Sequence, residues 1–242
     1  MTTNIGLARS EGRSANQKRK TIITPGYLEY APGSCLIECG KTKVLCAVSI
    51  EERVQTWRKG SGKGWITAEY AMLPASTANR SPRERSSRKG RSMEIERLIG
   101  RSLRTVVDMG ALGGEVTFHV DCDVIQADGG TRTASVTGAW VALKQAIETW
   151  RSAGKIVGNP LFGQVAAISV GLVDGRILLD LDYSEDSRAE VDLNLIMNAK
   201  GEIIEVQGTG EKTPFGRDKL NSMLDLAESG IRELFKAQND AL

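Results

Sequence analysis

Apolar and polar positions alternate through Val116, Phe118, Val120, Cys122 and Val124, the period-two signature of a strand with one buried face. Immediately downstream the spacing changes. Val136, Trp140, Leu143, Ile147 and Trp150 recur every three or four residues, as on the buried stripe of a helix ending near Arg151. The same contrast divides the rest of the chain. Residues 34–39 and 43–50 read as two strands joined by the Gly40-Lys41-Thr42 turn, a hairpin that opens the fold. Residues 65–70 form a short strand within a long loop-rich stretch, and Ser92 is placed to cap a helix with Ile95, Leu98, Ile99, Leu103, Val106 and Val107 on its apolar face. Residues 164–173 are almost continuously apolar, as in a buried central strand, and Asp174-Gly175 predicts a tight turn into a partner at residues 177–181. Val191, Leu193, Leu195 and Met197 alternate with Asp192 and Asn194, Gly201 turns the chain into residues 202–207, and Pro214 leads to a last helix. That helix carries Leu220, Met223, Leu224, Ala227, Ile231, Leu234 and Phe235 on one face. This interleaving predicts an α+β fold, a mixed β-sheet with packed helices in β-α-β-α units, as a single domain over residues 1–242.

The junction between the alternating strand and the long helix is Asp128-Gly129-Gly130-Thr131-Arg132. Paired glycines let backbone approach a ligand closely, and the amides at a helix start carry partial positive charge. Arg132 adds a fork of donors suited to phosphate. Taken by itself, a glycine pair is also what an ordinary strand-to-helix turn requires. Arg91, just before the expected start of the earlier helix, is a second candidate donor to the same anion. Arg97, Arg101 and Arg104 fall on that helix's outer side, as a solvated polar face does.

Composition narrows the chemistry. The 242 residues are 40% hydrophobic and 26% charged, an ordinary globular balance. Charged residues from Arg9 to Lys20 leave no apolar run for a signal peptide, and no stretch is long enough to span a membrane, so a cytoplasmic protein is expected. Cys35, Cys39, Cys46 and Cys122 sit mostly in strand patterns, as small buried thiols do. His119 is the only histidine, which excludes Ser/His/Asp and Cys/His nucleophiles and zinc sites needing two imidazoles. Gly60-Ser61-Gly62-Lys63-Gly64 lacks the ending and the following helix of a nucleotide P-loop. Carboxylates, cations or a hard metal must therefore do the work.

Charge is unevenly distributed although the net is only +2. Residues 80–104 hold nine cations against three anions, whereas residues 180–192 hold Asp180, Asp182, Glu185, Asp186, Glu190 and Asp192 against Arg188, giving a basic and an acidic pole. Asp192 stands on the opposite face of its strand from the apolar set, and Asp186 lies in the approach loop. Two carboxylates so placed can hold a hard divalent cation such as magnesium, or divide into metal ligand and proton donor; a solvent-facing acidic edge has the same spacing.

Five blocks in order, GSGKGWITAEYAMLP, GRSMEIERLIGRSLRTVVD, DCDVIQADGGTRTASVTGA, LDYSEDSRAEVDLN and GEIIEVQGTGE, resemble the bacterial ribonuclease PH family over nearly the whole chain, the first dozen and last few residues aside. The resemblance implies the ribonuclease PH-type fold and a phosphorolytic 3′-to-5′ exoribonuclease, a nucleotidyltransferase that trims transfer RNA precursors, with other structured RNAs such as ribosomal RNA as further substrates. Inorganic phosphate is then the co-substrate and nucleoside diphosphates the products. By motif, Arg91, Gly130, Thr131 and Arg132 would bind phosphate, and Asp186 and Asp192 would serve as magnesium ligands or as the acid, Asp186 nearer the leaving oxygen and Asp192 nearer the metal. The family forms a homohexamer, a trimer of dimers, in which Arg80 and Arg83 match the arginines that grip RNA. Ala75 departs from the pattern, standing where the family commonly has arginine after MLP. The competing expectation is a catalytically silent RNA-binding subunit of an exosome-like ring; retention of all six phosphate and acid positions argues against it.

Overall fold

The computed structural model describes residues 9–83 and 90–242. Arg85, Arg88 and Lys89 of the basic stretch, and the first eight residues, lie outside them.

Two sheets organise these residues. The first comprises β1 (Thr21–Pro25), β2 (Gly33–Cys39), β3 (Thr42–Glu51), β4 (Trp65–Met72) and β5 (Thr117–Gln126), in the order β1-β2-β3-β5-β4. β4 and β5 pair in parallel, the other neighbours antiparallel. A parallel pair needs a crossover, which α1 (Gly90–Arg104) supplies. β1 was not expected: its five residues alternate in exposure and it pairs only with β2, so its pattern is too short to stand out. The second sheet, β7-β6-β8-β9, is wholly antiparallel, with β6 (Val165–Val173), β7 (Arg176–Leu179), β8 (Val191–Asn198) and β9 (Ile203–Gly210). Asp174 (φ 50°) and Gly175 (φ 74°) make the expected tight turn between β6 and β7.

The helix α2 (Thr131–Ser152) is buried along most of its length because it lies between the sheets. Val136, Ala139, Trp140 and Leu143 share a core with β2, β3 and β5 on one side and with Val165, Ala167 and Ile196 on the other. Gly138 is required by close approach: a Cβ there would stand 2.7 Å from Ile37 Cγ2 and 2.9 Å from Cys46 Sγ. The opposite faces of β6 and β8 pack against α4 (Arg217–Ala241) through Ile168, Val170, Leu193, Leu195, Met223, Ala227 and Ile231. β6 is thus buried on both faces, which explains its apolar run. The four cysteines are free and buried, as expected. Among the described residues no helix is long and apolar enough to cross a membrane.

This layering decides where Asp192 points. Val191, Leu193, Leu195 and Met197 face α4, whereas Ile196 of the alternate set joins the α2 core. Asp192 and Asn194 share that second face, toward the start of α2.

Candidate active site at the start of α2

β5 delivers the chain to Asp128, and two left-handed residues, Gly129 (φ 74°) and Gly130 (φ 65°), reverse it into α2. A side chain at either position would be strained, and at Gly129 a Cβ would also lie 2.6 Å from the carbonyl oxygen of Leu181. The turn is therefore pressed against the segment leading to Asp186. It leaves the first α2 amides without an intrahelical acceptor, aimed outward. The Tyr70 hydroxyl at the end of β4 and Thr131 Oγ1 lie 2.9 Å apart, tying the helix start to the first sheet.

Arg132 donates to Gln207 Oε1 of β9 at 2.8 Å and to Glu94 Oε1 of α1 at 3.4 Å, while Gln207 donates to the same Glu94 oxygen at 3.0 Å. The guanidinium is held rather than free, with only 19% of its side chain exposed. Arg91 lies within α1, not before it: the helix is described from Gly90 onward, and Ser92, expected as its cap, is buried inside it. The charge of Arg91 nonetheless reaches the site, favouring ionisation of both Tyr70 and Asp186.

Asp186 is the last residue of a one-turn helix, α3 (Tyr183–Asp186), rather than part of a loop. Asp182 caps that turn by accepting from the Glu185 amide, with Glu185 returning a bond to the Asp182 amide, so α3 has little freedom. Desolvation raises the Asp186 carboxyl, and Arg91 and Arg132 oppose the rise. Asp192 is raised further, to about 6, by desolvation first and then by Asp186, against the pull of Arg132 and a 3.3 Å hydrogen bond from Asn194. Arg132, Asp186 and Asp192 therefore act on one another across a single small site, which Glu211 also influences. No cluster of three potential metal ligands occurs among the described residues. An oxygen-only pair that repels itself nevertheless suits magnesium, which takes one or two carboxylates and completes its shell with water and substrate phosphate.

The remaining expected site residues stand elsewhere. Arg80 and Arg83 follow β4 in an exposed segment, and the charge of Arg83 falls on Asp123 of β5. The acidic pole also needs correction, because Asp180, Asp182 and Glu185 are buried and paired with arginines from the chain start. Arg9 grips Glu185 through two bonds of 2.7 and 3.0 Å, Arg13 reaches Asp182 and Glu185 at 3.4 Å, and Arg19 binds Asp180 at 2.6 and 3.0 Å. The sequence carried no sign of these pairs, which join residues about 160 to 180 positions apart. Thr42, Glu94 and Gln207 were missed for the same reason.

Sequence and fold both match a known class of protein. Residues 17–147 match the model described as 3′ exoribonuclease family, domain 1, and residues 163–230 match domain 2 of that family. A chain of the Archaeoglobus fulgidus exosome with RNA bound to the active site has the same fold, with a TM-score of 0.81 over 95% of this chain and 92% of that one at 22% identity. Rice Rrp46 gives 0.76 over 96% and 98% at 20% identity. Ribonuclease PH of Corynebacterium glutamicum (strain R) is 55% identical over 100% of this chain and 99% of its own, and that of Parasynechococcus marenigrum is 53% identical over 97% and 94%. The chain belongs to the ribonuclease PH family, and is a phosphorolytic 3′-to-5′ exoribonuclease. The alignment with the Corynebacterium glutamicum enzyme covers the whole chain, including the first dozen and last few residues, which the resemblance read from the motifs left aside.

Proposed function

We propose that the enzyme shortens transfer RNA precursors by directing inorganic phosphate, held by Arg91 and by Gly130, Thr131 and Arg132, onto the last phosphodiester of the RNA. A phosphate oxygen forms a bond to the terminal phosphorus, the bond from phosphorus to the penultimate 3′ oxygen breaks, and that oxygen takes a proton. The last nucleotide departs as a nucleoside diphosphate. The barrier is largely electrostatic, since one anion attacks another; fixed cations and helix amides offset the repulsion and hold the attack in line. Each charge-assisted hydrogen bond contributes roughly 1.5–3 kcal/mol. Asp186 and Asp192 together hold magnesium and manage the proton on the leaving oxygen. Bound magnesium would neutralise charge on the reacting phosphates.

The observation that carries this reading is the convergence of Arg132, from the first α2 turn, with Asp186 of α3 and Asp192 of β8, whose charges act on one another. Assembly as a six-membered ring, a cytoplasmic location and an RNA grip through Arg80 and Arg83 belong to the same reading; exposed Ile203 and Val206 on edge strand β9 suit a subunit contact.

The test incubates a transfer RNA precursor with the enzyme and magnesium, with and without phosphate. Diphosphates formed only with phosphate are expected. Monophosphates released without it would indicate hydrolysis, and bound but uncut RNA a silent subunit. Comparing magnesium dependence and pH profile of Asp186→Asn and Asp192→Asn then divides the roles: identical changes in both would mean that the pair acts as one unit.

A further inference from the structure

The carbonyls behind the phosphate loop are gripped from two sides by residues far away in sequence. On one side stands Arg19, whose side chain is 3% exposed. Its Nη1 donates to the Asp128 carbonyl at 2.5 Å and to that of Gly129 at 3.4 Å, while Nε and Nη2 bind the two oxygens of Asp180. The Arg19 amide donates to Asp180 as well, at 2.7 Å, so the side chain and its own backbone share one anchor. On the other side, Thr42 Oγ1 donates to the Gly129 carbonyl at 2.7 Å and accepts from the Asp128 amide at 2.9 Å. The β2-β3 turn closes over the arginine, since a Cβ on Gly40 would lie 2.8 Å from Arg19 Cδ.

Glycines are mobile unless held. Residues 129 and 130 both occupy the left-handed region, and two successive flexible units would let the peptide planes rotate and scatter the amides that receive the anion. A donor fixed on a carbonyl orients the whole plane, including the amide of the next residue. Four clamping bonds to Asp128 and Gly129 thus set the direction of the amides that follow.

We infer that Arg19 and Thr42 are positioning residues for the phosphate site, holding the Asp128-Gly129-Gly130 backbone so that the α2 start meets inorganic phosphate already in its binding geometry. Neither residue touches the substrate. Asp180, itself in a left-handed conformation (φ 54°), is the counter-anchor that aims the Arg19 fork. The inference rests on phosphate binding at residues 130–132, and its test separates the two.

Arg19→Lys keeps the charge beside Asp180 but loses the fork on the carbonyls; Thr42→Val keeps shape and removes both hydroxyl bonds. The KM for inorganic phosphate is expected to rise about tenfold in Arg19→Lys and about fivefold in Thr42→Val, scaled to the net worth of one or two hydrogen bonds. The KM for RNA should stay within about twofold. The rise in Tm that added phosphate gives the wild type should shrink in step, a readout independent of turnover. A purely structural role would lower Tm and leave the phosphate KM alone, and that result in a folded variant, or equal increases in both KM values, overturns the inference. Should Arg19→Lys fail to fold, the near-isosteric Thr42→Val decides. Arg132→Gln is the control: if it leaves phosphate affinity intact, the phosphate reading itself fails, whereas loss there with wild-type affinity in both other variants rejects only the positioning role.

Discussion

Two sets of charges lie within a few residues of each other and behave oppositely. Arg9, Arg13 and Arg19 with Asp180, Asp182 and Glu185 are sealed from solvent, and every one of the six has an oppositely charged partner within 3.4 Å. At the site, the charge of Asp186 raises the Asp192 carboxyl, and Arg132, bonded to Glu94 and Gln207, bears on both carboxylates through its charge alone. A completed network has nothing left to offer a ligand. The site is left electrostatically unfinished, and the proposed phosphate and magnesium would complete it. The first set makes the second possible: Asp182 and Glu185 build the turn carrying Asp186, and Arg19 braces the loop carrying Arg132.

The comparison breaks most visibly at Asp192. Replacement by Asn is expected to lower the rate of diphosphate release by two to four orders of magnitude with Tm nearly unchanged, because one of the two carboxylates proposed to hold magnesium and manage the proton is lost from a site that does not hold the fold together. Arg9→Met should do the reverse, costing about 3 kcal/mol in denaturant unfolding by leaving the buried Glu185 with only the longer Arg13 contact at 3.4 Å. If Arg9→Met proved neutral, the sealed network would not be the scaffold described here.

Acid separates the two sets next. Burial by itself would raise the Asp182 carboxyl, but hydrogen bonds from Ser10, Ser184 and the Glu185 amide, with Arg13 nearby, hold it at about 2, below its ordinary 3.8. A depressed folded-state value stabilises the protein above pH 4 and loses that contribution as pH falls from 4 toward 2, by about 1–2 kcal/mol. A Ser10→Ala variant should show a shallower loss over that interval in denaturant titrations.

The smallest effect belongs to the exposed cations. Replacing Arg80 and Arg83 by Ser should flatten the dependence of log RNA affinity on log salt by about 1.4, the release from two single-strand phosphates. An unchanged slope would remove both from the RNA path.

Local pattern made much of this molecule legible. The β2-β3 and β6-β7 hairpins, the doubly buried β6, the buried thiols and the apolar face of α4 each follow from periodicity or turn chemistry within a dozen or so residues. The glycine pair and Arg132 marked a tight turn into a helix, the candidate anion site, because close backbone approach and a helix start have a short-range signature. Alternation in β8 also placed Asp192 on the face away from α4. β1 escaped because it is a five-residue edge strand with a single partner.

By itself, then, the amino-acid order determined which segments become strands and helices, which faces they bury, and where a candidate anion cradle and acidic pair lie. Only the tertiary structure decided that the cradle and the pair meet, that half of the apparent acidic pole is neutralised by the chain start, and that Arg19 and Thr42 lock the loop. The reason is range: periodicity and capping act over a few residues, whereas the Arg19 bonds span 109 and 161 positions and exist only once both sheets have closed around α2.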